Sequence, residues 1–290
     1  MLSLKVREKD YQRTKPIKII ISGFPHTATT RLYVELCRLC KDYDSNCMCF
    51  FEPFNYEVVR DYYKHGTHKH YRVGNIISDY DRIPERLFRK IVLNAREFYD
   101  YPFKDIEFLG SNGLEILDNL LYYGSVVIKD VHIWCLLPLL TRKYERALFV
   151  IPVREPQYTL NSFLRIHNIT RLSSRLEKEK IKKLYNPIRL FKAIKRTFWI
   201  WRHTNIKDLW GLGIFYKFFG YEPPRGLSWI VKKEVFIKLY FGLTYSIYMH
   251  YAMLEGGRNN VFVYPFHDKL YNEDIEEIIQ WVSEWFRIGK

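Results

Sequence analysis

Residues 19–36 read IIISGFPHTATTRLYVEL, and this order predicts a strand, a tight turn and an amphipathic helix. Gly23 and Pro25 favour the turn, and three threonines supply hydroxyl groups around the expected start of the helix. The first backbone N–H groups of a helix have no partner within the helix and lie at the positive end of its dipole. The segment therefore predicts a binding site for phosphate or sulfate.

Two further strands are predicted to end in a basic residue. Residues 147–165 (ALFVIPVREPQYTLNSFLR) form a buried type of strand that ends at Arg154 and leads into a helix carrying Ser162. Residues 125–140 (SVVIKDVHIWCLLPLL) form a strand that ends at Lys129, followed by an apolar helix. A guanidinium fork suits a phosphate dianion, and a nearby hydroxyl can share its oxygens. A surface ion pair is the alternative explanation for Arg154.

The alternation of strands and helices predicts an α/β fold with a mostly parallel sheet. In such sheets ligands bind beyond the carboxyl ends of the strands, where the first loop, Lys129 and Arg154 are all expected. At 290 residues, one domain over 1–290 with an insertion is favoured over two domains.

The first loop lacks the lysine of the Walker pattern, which disfavours hydrolysis of a nucleoside triphosphate. It resembles instead the 5′-phosphosulfate loop of sulfotransferases that use 3′-phosphoadenosine 5′-phosphosulfate (PAPS). That family has a basic residue where this chain has His26, and a glycine where it has Ala28. The residues that match the donor-binding loop are Pro25, His26, Thr27, Ala28, Thr29 and Thr30.

Three later elements resemble the same family, and carbohydrate sulfotransferases most of all. Arg154 and Ser162 keep the spacing of the pair that holds the 3′-phosphate of the nucleotide, and Lys129 ends a strand as in the Golgi enzymes. Glu52 lies in a Glu-Pro element like the one that follows their first helix. The resemblance covers residues 19–165 and implies a P-loop-like three-layer fold with PAPS as donor and PAP as product.

The resemblance also implies catalytic roles. Glu52 is expected to be the general base, with a pKa raised by burial among aromatic residues; a simple ion pair with a lysine is the alternative. His26 and Lys129 are expected to contact the bridging oxygen or the 5′-phosphate. His132 is a rival base that we rank second, because a position three residues beyond Lys129 would lie on the opposite face of a strand.

Positive charge is concentrated in residues 163–240, which hold 18 lysines and arginines against 5 acidic residues. The same segment is rich in tryptophan, phenylalanine and tyrosine. We interpret residues 166–230 as a basic helical insertion, a lid over a carbohydrate or glycolipid acceptor. Peripheral contact with an anionic membrane ranks second and nucleic-acid binding third, and a solvated basic helix is the fourth possibility.

Two other features bear on the fold. The cysteines at 37, 40, 47 and 49 allow buried thiols, a disulfide or a zinc site. Residues 261–270 resemble the final strand of the family, with His267 in place of a glutamate. The helix expected at 272–286 carries two tryptophans at helical spacing, which predicts a core position for both.

The function predicted from the sequence is PAPS-dependent transfer of a sulfuryl group to a hydroxyl of a carbohydrate or glycolipid, with no metal in the reaction. No apolar run approaches the roughly 18–20 residues that cross a bilayer, and residues 1–11 are charged, which favours a cytoplasmic protein. Two alternatives remain. One is a divergent P-loop kinase. The other is an inactive relative that binds nucleotide, nucleic acid or membrane through the basic segment.

Overall fold

The computed structural model describes residues 16–288 except 24–26, 71–73, 77, 101–112, 157, 160–244, 246–247 and 267–270. The basic segment at 163–240, the insertion predicted at 166–230, Pro25, His26, Ser162 and His267 lie outside the described residues.

A parallel sheet forms the centre of the described structure. Its strands are β1 (Lys18–Ser22), β2 (Met48–Phe51), β5 (Val126–Asp130), β6 (Leu148–Arg154) and β7 (Val261–Phe266). They lie in the order β2-β5-β1-β6-β7, and every neighbouring pair is parallel. Strands β1, β2, β5 and β6 are buried almost throughout, as expected for a sheet covered on both faces. The predicted α/β fold with a parallel central sheet is confirmed.

Helices connect and flank the strands. They are α1 (Thr29–Tyr43), α2 (Tyr56–His65), α3 (Glu85–Asp100), α4 (Leu114–Tyr122), α5 (Leu137–Lys143) and α6 (Tyr271–Ile288). Residues 248–255 are also helical. Short 3-10 helices occupy Tyr80–Arg82 and Ile133–Leu136, and an antiparallel ribbon pairs β3 (His68–His70) with β4 (Gly74–Ile76).

The last helix closes the core as the tryptophan spacing predicts. The Trp281 ring stacks on Phe262 of β7, with ring centroids 3.9 Å apart and planes 8° from parallel. Trp281 and Trp285 are both partly buried and packed against the core. Helix α6 also contacts α1, so the two ends of the described fold support each other.

The four cysteines at 37, 40, 47 and 49 are of two kinds. Cys40 and Cys47 form a disulfide between the last turn of α1 and the start of β2, whereas Cys37 and Cys49 are free thiols. Within the described ranges, no group of three or more His, Cys, Asp or Glu side chains is placed to hold a metal ion. Also within those ranges, no helix combines the length and apolarity that crossing a membrane requires.

Candidate functional site at the carboxyl edge of the sheet

The strand order brings the predicted site residues to one edge. Strand β1 lies between β5 and β6, so the loop after Ser22 is flanked by the ends that carry Lys129 and Arg154. In register, Ser22 is paired with Asp130 of β5. Strand β2 ends beside β5, which places Glu52 next to Lys129. Parallel strands therefore assemble at this edge residues that lie far apart along the chain.

At the β1–α1 junction, the described residues show a close approach at Gly23 and a strained start to the helix. A Cβ atom on Gly23 would lie 2.4 Å from Thr29 Cγ2 and 2.7 Å from Thr27 Oγ1, so this close approach requires glycine. Ala28 is the N-cap of α1 and has φ 63°, a left-handed conformation that glycine favours. Ala28 thus has a backbone conformation that a glycine would adopt without strain.

The same junction contains polar groups that the fold does not satisfy by capping. The N-cap of α1 makes no side-chain hydrogen bond, and the first turn of this helix has no acidic residue. The Ser22 hydroxyl is buried and has no hydrogen-bond partner among the described residues. A buried orphan hydroxyl beneath a helix N-terminus marks a place where a ligand or a water can bind.

Glu52 and Lys129 form a buried ion pair. Glu52 is 7% exposed and Lys129 is 1% exposed, and the ammonium donates to Glu52 Oε1. Asn55 Nδ2 donates to the other carboxylate oxygen at 2.5 Å, and the Lys129 ammonium lies 4.5 Å from the centre of the Phe51 ring. Glu52 has φ 48°, and its N–H donates to the Lys129 carbonyl at 2.6 Å. The ion pair that the sequence left as an alternative for Glu52 is present.

The prediction of a raised pKa for Glu52 is wrong. Burial alone would raise the pKa, but the charges of Lys129 and His132 and the hydrogen bonds from Lys129 and Asn55 outweigh it and lower the pKa from 4.5 to about 2. Glu52 is therefore a carboxylate at neutral pH, and a weak base.

His132 lies outside the strand, which corrects the argument that ranked it second. Strand β5 ends at Asp130, so the alternation of strand faces does not reach His132. Asp130 Oδ1 accepts the His132 N–H at 2.6 Å and lies 3.1 Å from His132 Nδ1, which orients the ring. Burial would lower the pKa of His132, but Asp130 and the charge of Glu52 raise it above 6.5 overall. A partly exposed imidazole held by a carboxylate can accept or donate a proton near neutral pH.

Arg154 ends β6 on the other side of β1. Its guanidinium carbon lies 6.0 Å from the centre of the Tyr158 ring, and its backbone is hydrogen-bonded to the hydroxyl of Tyr245. The structure thus brings together Glu52, Lys129 and His132, and places Arg154 at the same edge.

Sequence reasoning missed three residues of this edge. Asp130 directly follows Lys129, and a search for every polar residue at a strand end would have found it. The buried hydroxyl of Ser22 is detectable by the same rule, because it ends β1. Tyr245 lies 91 residues from Arg154 in the sequence, and no local pattern indicates their contact.

Comparison with known proteins found no matching family model, no matching curated protein and no matching solved structure.

Proposed function

We propose that this protein transfers a sulfuryl group from PAPS to a hydroxyl of a carbohydrate or glycolipid acceptor. The observation that carries the proposal is the junction of β1 and α1, flanked in the sheet by Lys129 on one side and Arg154 on the other. Two cationic strand ends around an uncapped helix N-terminus form an arrangement suited to a ligand with two separated anionic groups.

The described residues fit this donor. Three features favour an anion at the loop: the buried Ser22 hydroxyl has no partner within the described ranges, no side chain caps the start of α1, and its first turn has no acidic residue. The 5′-phosphosulfate would be held by Lys129 and by the segment Thr27, Ala28, Thr29 and Thr30. The 3′-phosphate would be held by Arg154. The resemblance adds Pro25, His26 and Ser162 to these two sets.

The donor, when bound, supplies an activated sulfuryl group. The residues of the chain must then remove the acceptor proton and stabilise charge on the leaving phosphate. We assign the first task to His132, because Asp130 orients its ring and raises its pKa. We assign the second to Lys129, which Glu52 holds in place.

A nucleotide-binding relative without transfer activity is the second candidate. The observation that favours it is the Glu52–Lys129 ion pair, which neutralises the lysine expected to act on the donor. A divergent P-loop kinase is less well supported, because the described part of the loop after β1 contains no lysine.

Isothermal titration calorimetry tests the donor site. We expect PAP to bind, and ATP with magnesium, duplex DNA and anionic vesicles to bind more weakly or not at all. Arg154→Ala should weaken PAP binding at least tenfold, since a charge-assisted hydrogen bond contributes about 1.5–3 kcal/mol. Arg146→Ala is the matched control, because Arg146 is an exposed arginine just before β6. Equal affinity for PAP in both variants would contradict the proposed site.

Transfer of a radiolabelled sulfuryl group from PAPS to a panel of glycans and glycolipids then separates the two candidates. His132→Asn should lower kcat at least a hundredfold while leaving the Kd for PAP unchanged. A wild-type protein that binds PAP tightly but modifies no acceptor favours the inactive relative. Full activity in His132→Asn would return the base assignment to Glu52.

A further inference from the structure

Among the described strands, the carboxyl-terminal part of β6 has a neighbour on one side only. Strand β1 pairs with β6 only as far as Val150, whereas β7 pairs with β6 as far as Arg154. The last residues of β6 therefore extend beyond β1, and no described strand pairs with that side of their backbone. A strand end of this kind needs other hydrogen-bond partners to hold a fixed position.

Two tyrosine hydroxyls supply those partners. Tyr248 donates to the Pro152 carbonyl at 2.8 Å, and Tyr245 donates to the Arg154 carbonyl. The Arg154 N–H donates back to the Tyr245 hydroxyl at 3.2 Å, so one phenol contacts both backbone polar groups of Arg154. Pro152 and Arg154 are two residues apart, and their backbone groups point to the same side of the strand. The tyrosines thus continue the ladder that β1 leaves unfinished.

The two tyrosines are themselves held rigidly. Tyr245 is 2% exposed and Tyr248 is fully buried, and their ring centroids lie 5.7 Å apart. The Tyr248 ring also contacts the Trp134 ring edge-on, with ring centroids 6.2 Å apart. Trp134 belongs to the 3-10 helix that follows His132. The Tyr245 hydroxyl also lies near the Thr159 side chain. Both tyrosine side chains are therefore held by packing while their hydroxyls contact β6.

We propose that Tyr245, supported by Tyr248, is a positioning residue that fixes the end of β6 and so aims the Arg154 guanidinium at the 3′-phosphate of the donor. This inference rests on the proposed function for the role of Arg154. Burial raises the pKa of Tyr245 to about 12, so its hydroxyl keeps its proton and remains a donor throughout the neutral range.

A double-mutant cycle on nucleotide affinity tests the proposal. Tyr245→Phe should raise the Kd for PAP roughly threefold to tenfold, because it removes both hydrogen bonds to the Arg154 backbone but affects the nucleotide only through Arg154. It should leave the Kd for adenosine 5′-monophosphate unchanged, because that nucleotide has no 3′-phosphate. In an Arg154→Ala background, Tyr245→Phe should have no further effect on PAP. Tyr122→Phe, at an 87% exposed tyrosine, is the control.

Hydrogen exchange supplies a readout that needs no ligand. Tyr245→Phe should speed exchange at the Arg154 amide, and Tyr122→Phe should not. An unchanged Arg154 amide, equal losses for both nucleotides, or an additive effect in the Arg154→Ala background would each overturn the positioning role. A wild-type protein that does not bind PAP overturns the proposed function instead, and exchange still decides whether Tyr245 orders the end of β6.

Discussion

The β1–α1 and β2–α2 junctions have the same plan and opposite electrostatics. Each connects a parallel strand to a helix at the same edge of the sheet, and each contains a non-glycine residue with positive φ, Ala28 in the first and Glu52 in the second. At the second junction Asn55 caps α2 by accepting the Glu57 N–H at 3.2 Å, and Phe54 N–H donates to Asp130 at 2.8 Å. At the first junction the N-cap side chain makes no hydrogen bond.

The difference shows which helix start is suited to an external anion. The β2–α2 junction is already neutralised by its own carboxylates, because Glu52 pairs with Lys129 and Glu57 lies in the first turn of α2. The first helical turn at the β1–α1 junction has no acidic residue, and the buried Ser22 hydroxyl has no partner among the described residues. The described part of the β1–α1 junction is therefore the better suited of the two to an anionic ligand.

The largest effect is expected from breaking the ion pair at the β2–α2 junction. Glu52→Gln would leave the buried Lys129 ammonium without its anion and should lower the free energy of unfolding by about 3–5 kcal/mol. Urea denaturation at pH 7 measures the loss. Glu57→Gln is the control, since it removes only a charge near the start of the same helix and should cost less than about 1 kcal/mol. Equal losses in the two variants would show that the ion pair does not stabilise the fold.

The same pair predicts a pH dependence. The pKa of Glu52 is lowered from 4.5 to about 2, so its contribution to stability is present above about pH 4.5 and disappears as the pH falls to about 2. This contribution is on the order of 3 kcal/mol. The difference in unfolding free energy between the wild type and Glu52→Gln should therefore shrink across this window. A constant difference from pH 6 to pH 2 would contradict the lowered pKa.

The next largest effect is expected from a substitution that distorts the β1–α1 junction. Gly23→Ala would place a methyl group against the side chains of Thr27 and Thr29 and should cost about 1–3 kcal/mol. It should also weaken PAP binding, because the loop must move to make room. Gly257→Ala is the matched control, since no atom lies within 4 Å of its added Cβ. Thermal unfolding and calorimetry of both variants decide whether the close approach matters.

A smaller effect is expected from a substitution that relieves backbone strain at the β1–α1 junction. Ala28→Gly should stabilise the protein by about 0.5–1 kcal/mol, because a left-handed alanine costs about 1–2 kcal/mol and the added flexibility of glycine offsets part of the gain. Ala95→Gly, within α3 and fully buried, should instead destabilise by about 1 kcal/mol. Destabilisation in both variants would mean that Ala28 does not carry the strain that its φ indicates.

The smallest effect distinguishes ligand binding from folding. Ser22→Ala removes a buried hydroxyl that has no partner among the described residues, so the unfolding free energy should change by less than about 0.5 kcal/mol or rise slightly. Asn55→Ala, the corresponding change at the β2–α2 junction, should lower the unfolding free energy by about 1 kcal/mol, because it removes the N-cap of α2. Measured with saturating PAP, the Ser22→Ala variant should gain less stability than the wild type.

The strand ends were accessible from the sequence, whereas their pairing was not. Buried β-branched runs ending in Lys129 and Arg154 predict where β5 and β6 stop, and the structure confirms both to within one residue. The raised pKa predicted for Glu52 was wrong because its partner, Lys129, is 77 residues away and meets it only through the adjacency of β2 and β5. Strand order is a property of the whole sheet, and no local pattern encodes it.

The case of His132 shows the limit of a periodicity argument. Its predicted orientation depended on the strand continuing past Lys129, and the strand ends one residue later, at Asp130. Asp130, the carboxylate that orients the His132 ring, is the residue at which the strand ends. Short strands make such errors frequent, since a shift of one or two residues in a boundary reverses an inferred face.

The proximity of Thr159 and Tyr245 has a consequence for how this chain can change length. The two residues flank positions 160–244, and both are buried next to Arg154. Because the flanks meet, closing the chain across this point needs only a short connection, and the entropic cost of a longer one grows slowly, by about 0.6 kcal/mol for each doubling. We therefore expect the parallel sheet to tolerate changes in the number of residues between Thr159 and Tyr245.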